Sequence, residues 1–389
     1  MIVRDFLDWV RTAPATERAE ATSALARAYL YSDLSPDDAA AAEGAMLMLL
    51  DDASPLVRRA LADALAASPS APPAIVLALA ADQPQIAAPV LALSPLFVDA
   101  DLVDAVATGS GAVQSAVAGR ATLPRSVAAA VAEVGTAEAC LILLENSGAD
   151  VAPFSIERIV ERHGYLAAIR EPLLARADVA AATRLTLVAK LAETLTGLVT
   201  ERAWLPADHA QRIAREACEK ATLVLAAGAP ATQMGPLIQH LRVTGQLTAG
   251  LILRALVSGN VVLFEQALAV LADMPVERVS VFVHDSGHSG LRALFDRAGL
   301  PASTYPAFKE AIGAMREGGF SGDPGGGTRL KRRMIERVLT RCEHAALDEV
   351  EPLLTLLRRL ATEAAREEAR LFCDELVAEA YEDEQVEAA

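Results

Sequence analysis

The stretch Asp51-Asp52-Ala53-Ser54-Pro55-Leu56-Val57-Arg58-Arg59-Ala60-Leu61-Ala62-Asp63-Ala64-Leu65 constrains this chain more than any other. On a helix, Leu56, Ala60 and Ala64 share one face, with Val57, Leu61 and Leu65 beside them. So broad an apolar side has to pack against neighbouring helices. Ser54 is placed to cap the first amides, and Pro55 falls in the first turn, where its missing donor costs nothing. Weaker versions recur at Asp82-Gln83-Pro84-Gln85-Ile86-Ala87, at Gly111-Ala112-Val113-Gln114-Ser115-Ala116, near Thr136 and near Gly164. With Pro55, Pro84, Ala112, Ala137 and Tyr165 as helix starts, the separations are 29, 28, 25 and 28. A period in this range marks a stacked array whose units are each too small to bury their own face. The helices between them should begin near Pro36, Pro72, Asp99, Pro124 and Ser155.

The order acidic residue, Pro, Val-Arg, then Ala and Leu resembles the second helix of a HEAT repeat. In that superfamily the acidic residue and the Arg six positions later, here Asp52 and Arg58, form a ladder between repeats. That role is structural. The period is shorter than the usual HEAT repeat of about 40 residues, so the helices should be nearer three turns than four.

After Asp178 longer amphipathic stretches follow, Asp178 to Leu198 and Pro206 to Ala227, and then segments that open near Ala231, Thr248, Asn260, Pro275, Ser289 and Thr304. No segment alternates in the manner of a strand, so almost no sheet is expected. The reading is all-α: an α-solenoid of short HEAT-like repeats over residues 1–177, a second helical array over 178–316, a Gly-rich flexible linker over 317–328, and C-terminal helices with an acidic tail over 329–389. The N-terminal array, together with Gln246 to Leu256 and Gly290-Leu291-Arg292-Ala293-Leu294-Phe295-Asp296-Arg297-Ala298-Gly299-Leu300-Pro301, resembles an uncharacterised bacterial domain-of-unknown-function family, number 2336. The resemblance covers roughly residues 30 to 315 and implies no activity.

Charge narrows the function classes. Residues 1–150 carry 8 basic and 19 acidic side chains, residues 151–316 carry 17 and 15, and residues 317–389 carry 10 and 17, giving −16 overall. Acidic ends repel a polyanion, so nucleic acid is an unfavoured partner, although some HEAT-like DNA repair glycosylases bind it. A local cluster, Arg329, Lys331, Arg332, Arg333, Arg337 and Arg341, reads as a solvated helix face that meets the acidic tail. The chain is 53% hydrophobic but 4% aromatic, which favours helices over base-stacking surfaces. The four cysteines, at 140, 218, 342 and 373, form no metal or disulfide pattern and fit a reducing compartment. Charges near the N-terminus break any secretory signal, and no apolar run reaches the roughly 20 residues of a membrane span, so a cytoplasmic location is expected.

His284-Asp285-Ser286-Gly287-His288 is the one cluster with a catalytic look, since two imidazoles four apart on a helix can share a metal with Asp285. Gly287 and the neighbouring Gly290 favour an inter-helix turn instead, and no metal or cofactor is expected. The Gly-rich Asp323 to Thr328 lacks the Lys-Ser/Thr ending of a P-loop. Asn146 reads as a helix C-terminal residue in a left-handed turn. Arg254, Arg292 and Arg297 sit inside otherwise apolar helices, where each must pair internally, snorkel or face a groove. They are the candidate contact residues. The expected function is a non-enzymatic scaffold that binds other proteins through a concave surface; the alternative is a small-ligand-binding or enzymatic solenoid with a pocket near residues 254–297. Oligomeric state is left open.

Overall fold

The computed structural model describes residues 9, 10, 12–284, 288–318, 332, 334–340 and 351–387. Of the connection at 317–328, only 317 and 318 are described, closing a helix; Arg329, Lys331, Arg333, Arg341 and Cys342 lie outside the described residues. The described chain is all-α, and no named strand occurs in it. Among the described residues one parallel bridge joins Leu123 and Ala149. Two compact units divide the chain, Met1–Val179 and Ala180–Ala389.

The first unit contains α1 (Ala15–Tyr31), α2 (Pro36–Leu49), α3 (Pro55–Leu65), α4 (Pro73–Ala80), α5 (Pro84–Leu93), α6 (Asp99–Thr108), α7 (Gly111–Ala118), α8 (Arg125–Val134), α9 (Ala137–Glu145), α10 (Pro153–His163) and α11 (Ala167–Ala175). The odd-numbered helices pack each on the next odd one from α1 to α11, and α6, α8 and α10 do likewise beside them. This two-layer stacking is compatible with a solenoid. It follows from short helices that expose an apolar stripe on two sides: Leu61, Leu65, Ile75, Val76, Leu79, Ile86 and Val90 are all sealed from solvent. Pro36, Pro55, Pro73, Pro84 and Pro153 occupy first-turn positions, where their fixed φ is already helical.

Ser54 does not cap α3 with its side chain. Its own N–H donates to Asp52 Oδ1 at 2.8 Å. The same carboxylate is gripped by Arg18 through Nε and Nη2, both at 2.8 Å. One repeat on, Arg58 grips Asp82 through Nε at 2.6 Å and Nη2 at 3.1 Å, and its Nη1 donates to the Asp52 carbonyl. The ladder thus runs from the Arg of one helix to the Asp that precedes the helix stacked upon it.

Further along, exposed pairs such as Arg125 with Asp150 and Arg158 with Glu133 continue from repeat to repeat, and rungs of a second chemistry join them. Arg120 donates to the carbonyls of Leu91 and Ser94 at the end of α5. Arg162 does the same for Ala132 and Gly135 at the end of α8, and Arg176 for Leu144 in α9. These carbonyls are the orphan acceptors of a helix C-terminus, where a cation is also favoured by the helix dipole. Asn146 belongs to this set. It is extended, with φ −77° and ψ 104°, not left-handed, because its side-chain amide reaches back to the carbonyls of Ala118 and Arg120 at 2.8 and 2.7 Å.

The ladder carries a pH dependence. Burial pushes the Asp52 and Asp82 carboxyls up, but the hydrogen bonds and charges of Arg18 and Arg58, with the N–H groups of Ser54 and Gln83, outweigh it and hold both below the ordinary 3.8. A depressed carboxylate contributes stability that is complete above its unfolded pKa and lost as pH falls through its folded one. Hydrogen exchange of α3 and α5 amides under increasing urea, followed from about pH 5 to about pH 2.5, should therefore show a steep acid loss of first-unit stability. The double variant Asp52→Asn, Asp82→Asn should show a shallower one from a less stable starting point.

The second unit contains α12 (Ala181–Glu201), α13 (Ala207–Gly228), α14 (Ala231–Val243), α15 (Ala249–Val257), α16 (Val261–Ala272), α17 (Val276–His284), α18 (His288–Arg297), α19 (Tyr305–Gly318) and α20 (Glu351–Glu387). Side chains of Thr248 and Asn260 accept amides of the helices that they open. α15 is its centre: every residue from Leu251 to Val257 is buried, as a helix apolar all round requires. Around it lie Phe264, Phe295 and Phe308, and α20 adds Leu354, Leu357 and Leu360 to the same core.

Candidate functional site

Arg254 is the only charge in α15, and its side chain is 3% exposed. It stands in the last turn, where the helix dipole favours a cation. Two carboxylates from other helices meet it: Glu219 of α13 at 3.2 Å from Nε, and Glu363 of α20 at 2.7 Å from Nη1. Lys220 reaches Glu363 at 3.3 Å, and Arg359 of α20 pairs with Glu216 of α13. The two carboxyls diverge. Burial dominates at Glu219 and pushes it above the ordinary range despite Arg254. At Glu363 burial is outweighed by the hydrogen bonds and charges of Arg254 and Lys220, which hold it below.

Nη2 of Arg254 is buried and has no hydrogen-bond partner. Arg254 forms part of the wall of a cavity of about 530 Å³ between α13, α15 and α20, bounded also by Lys220, Ser258, Asn260, Glu363, Arg366 and Arg370. Leu223, Val224, Ala227 and Leu360 supply its apolar walls. The spacing that builds it is helical: Lys220, Leu223, Val224 and Ala227 share one face of α13, and Glu363, Arg366, Glu367 and Arg370 one face of α20.

Arg292 and Arg297 are not in this wall. Arg292 pairs with Asp296 at 3.1 Å one turn on and lies over the Tyr305 ring at 4.7 Å. Arg297 donates to the carbonyls of Ala272 and Asp273 at the end of α16, as Arg316 does to Phe282 and Val283 at the end of α17. Arg297 therefore repeats the carbonyl-capping device of the first unit. His284 ends α17 and bonds Glu265 at 2.8 Å, whereas His288 opens α18, so the pair does not share one helix. Asp285 and the His288 side chain lie outside the described residues. Among the described residues no three His, Cys, Asp or Glu side chains are grouped to hold a metal. Burial pushes the Cys140 thiol up to about 11, which makes it inert. Of the basic cluster, Arg332 pairs with Glu336 at 2.8 Å and Glu368 at 2.9 Å.

A second opening lies between α12 and α13. It is a cleft of about 250 Å³ lined by Val188, Leu191, Leu195, Val199, Leu205 and Ile213 with small residues Ala192, Ala210, Ala214 and Ala217. The α12 positions 188, 191, 192, 195, 196 and 199 follow the three-four spacing of a bundle seam. Leu195, Ile213 and Leu198 are about half exposed, and Trp204 at the hairpin tip is 62% exposed. Sequence reasoning missed this cleft and the rim residues Lys220, Glu363, Arg366 and Arg370. The seam spacing was a usable signal for the first; the second had none.

No helix among the described residues is long and apolar enough to cross a membrane. Residues 86–348 match the family described as "uncharacterised protein conserved in bacteria (DUF2336)", more than half of the chain, and the chain belongs to that family. No curated protein and no solved structure matches it.

Proposed function

We propose that this family member acts in the cytoplasm as a non-enzymatic helical-repeat scaffold, and that it holds a protein partner by seating an apolar helix of that partner in the cleft between α12 and α13. The observation that carries this reading is the open seam from Val188 to Val199 facing Ile213. Fully burying an aliphatic side chain contributes about 1.5–3 kcal/mol relative to leaving it in water. Leu195, Leu198, Ile213 and Trp204 leave part of that gain unrealised. A helix laid in a groove reads such a seam through residues at the same spacing, and an exposed Trp is a frequent anchor. Arg254, Arg292 and Arg297, the sequence-level candidates, are each engaged inside the second unit, so the reading rests on the cleft.

The test is a photo-crosslinking amino acid placed at Leu195 or Ile213 in the native bacterium, with the exposed Val134 as control. A discrete adduct with one other protein is expected at 195 and 213, and Leu198→Glu with Trp204→Glu should abolish it. An adduct of twice the chain's own mass would make the occupant a second copy and overturn the partner reading. Labelling no stronger than at Val134 would overturn docking at this cleft.

A further inference from the structure

We infer that the cavity walled by Arg254 is a binding site for a small organic anion, one with a phosphate or carboxylate head and a short apolar body. Arg254 is 3% exposed, yet one nitrogen of its guanidinium, Nη2, has no acceptor. A buried donor left unmade costs about 1–3 kcal/mol, more on a charged group, so such a group calls for an explanation. Glu219 and Glu363 take only Nε and Nη1.

The surroundings fit an anion. Lys220, Arg254, Arg366 and Arg370 stand in the wall against Glu363 and Glu367, so the lining is cationic on balance in a chain of charge −16. Arg366 and Arg370 are exposed and form no ion pair among the described residues. Asn260 brings the N-terminal end of the 12-residue α16 to the same wall, an end whose partial positive charge favours anions. Ser258 adds a hydroxyl.

Size and polarity set the class. About 530 Å³ lies within the roughly 300–1,000 Å³ range of small-molecule pockets and is far larger than a bare phosphate fills. Leu223, Val224, Ala227 and Leu360 give the body of the ligand an apolar bed. A charged head beside the arginines and a nonpolar tail along α13 satisfy both halves of the wall.

This inference goes beyond the partner-binding reading and is separable from it. The experiment is titration calorimetry of the full chain with phenyl phosphate, inorganic phosphate and benzyl alcohol. Phenyl phosphate should bind saturably at one site, inorganic phosphate at least several-fold more weakly, and benzyl alcohol not at all. Arg366→Glu with Arg370→Glu should weaken phenyl phosphate at least tenfold. Val224→Trp, at a position 73% exposed and so tolerant of replacement, should fill the cavity and do the same. Leu195→Glu should leave binding unchanged, which separates this site from the cleft. Absence of saturable phenyl phosphate binding, or binding that both cavity variants leave intact, would overturn the inference.

Discussion

Arg254→Ala should destabilise the second unit by about 3–5 kcal/mol, the usual consequence of removing one partner from a buried ion pair. The loss comes less from the pairing itself than from what remains. Glu219 and Glu363 have side chains only 16% and 23% exposed, and without the guanidinium they face each other across a low-dielectric gap. Glu219, already pushed up by burial, would take a proton. Neutralising the whole set tests this account: Arg254→Met with Glu219→Gln and Glu363→Gln should recover most of the loss, because a buried ion pair exchanged for neutral groups is often close to isoenergetic. The exposed Arg292, paired one turn away at 46% and 59% exposure, should cost about 0.5–1 kcal/mol at most when changed to alanine. Two units make a single global melt ambiguous, so the readout is hydrogen exchange of α15 amides under increasing urea. An Arg254→Ala variant no weaker than Arg292→Ala would mean that this triad does not hold α13, α15 and α20 together.

Asn146→Ala should cost the first unit about 1–3 kcal/mol. Its two amide hydrogens satisfy the Ala118 and Arg120 carbonyls, and its Oδ1 accepts the Gly148 N–H at 2.9 Å, so truncation orphans groups on both sides of a repeat junction. Asn146→Asp keeps the acceptor but aims a carboxylate at two carbonyl oxygens, and it should be worse than alanine. Gly148→Ala should be comparably damaging for a different reason. A Cβ there would collide with the Ala121 carbonyl oxygen, and the backbone cannot retreat without breaking the bonds from Leu123 N to Gly148 O and from Asp150 N to Leu123 O. Hydrogen exchange of α9 amides under increasing urea ranks the three variants. Asp milder than Ala at 146 would refute the assigned hydrogen-bond directions.

Helix placement was legible residue by residue. Starts expected at Pro55, Pro84 and Asp99 are the observed ones, and those expected at Ala112, Pro124, Thr248, Asn260 and Thr304 fall within one position. Proline at a first turn, a capping side chain and a three-four apolar spacing are local signals, complete within a dozen residues. Ser54 shows the limit even there: its position suits a cap, but its side chain accepts no amide of the helix, and its own N–H goes to Asp52, which Arg18 and Arg58 hold in place.

The site was legible in part. Arg254 stood out as a charge in an apolar helix, and burial of that helix follows from its composition. Its partners did not stand out, since Glu363 lies 109 positions away on a helix whose register against α15 no local pattern encodes. Arg297 had the same sequence signature and a different fate, because a helix C-terminus rather than a carboxylate happened to lie within its reach.

From its sequence alone this chain is determined to be all-α, with short helices at a period of 25 to 29 residues in its N-terminal array and longer ones after Asp178, because helix propensity, caps and amphipathic spacing act within a single turn or two. Only the tertiary structure decided which orphan carbonyl each arginine satisfies, which apolar seam stays open and which guanidinium nitrogen is left without an acceptor. Those depend on distances in space between residues far apart in the chain, and a hydrogen bond or a buried surface is made by proximity, whatever the order of residues along the backbone.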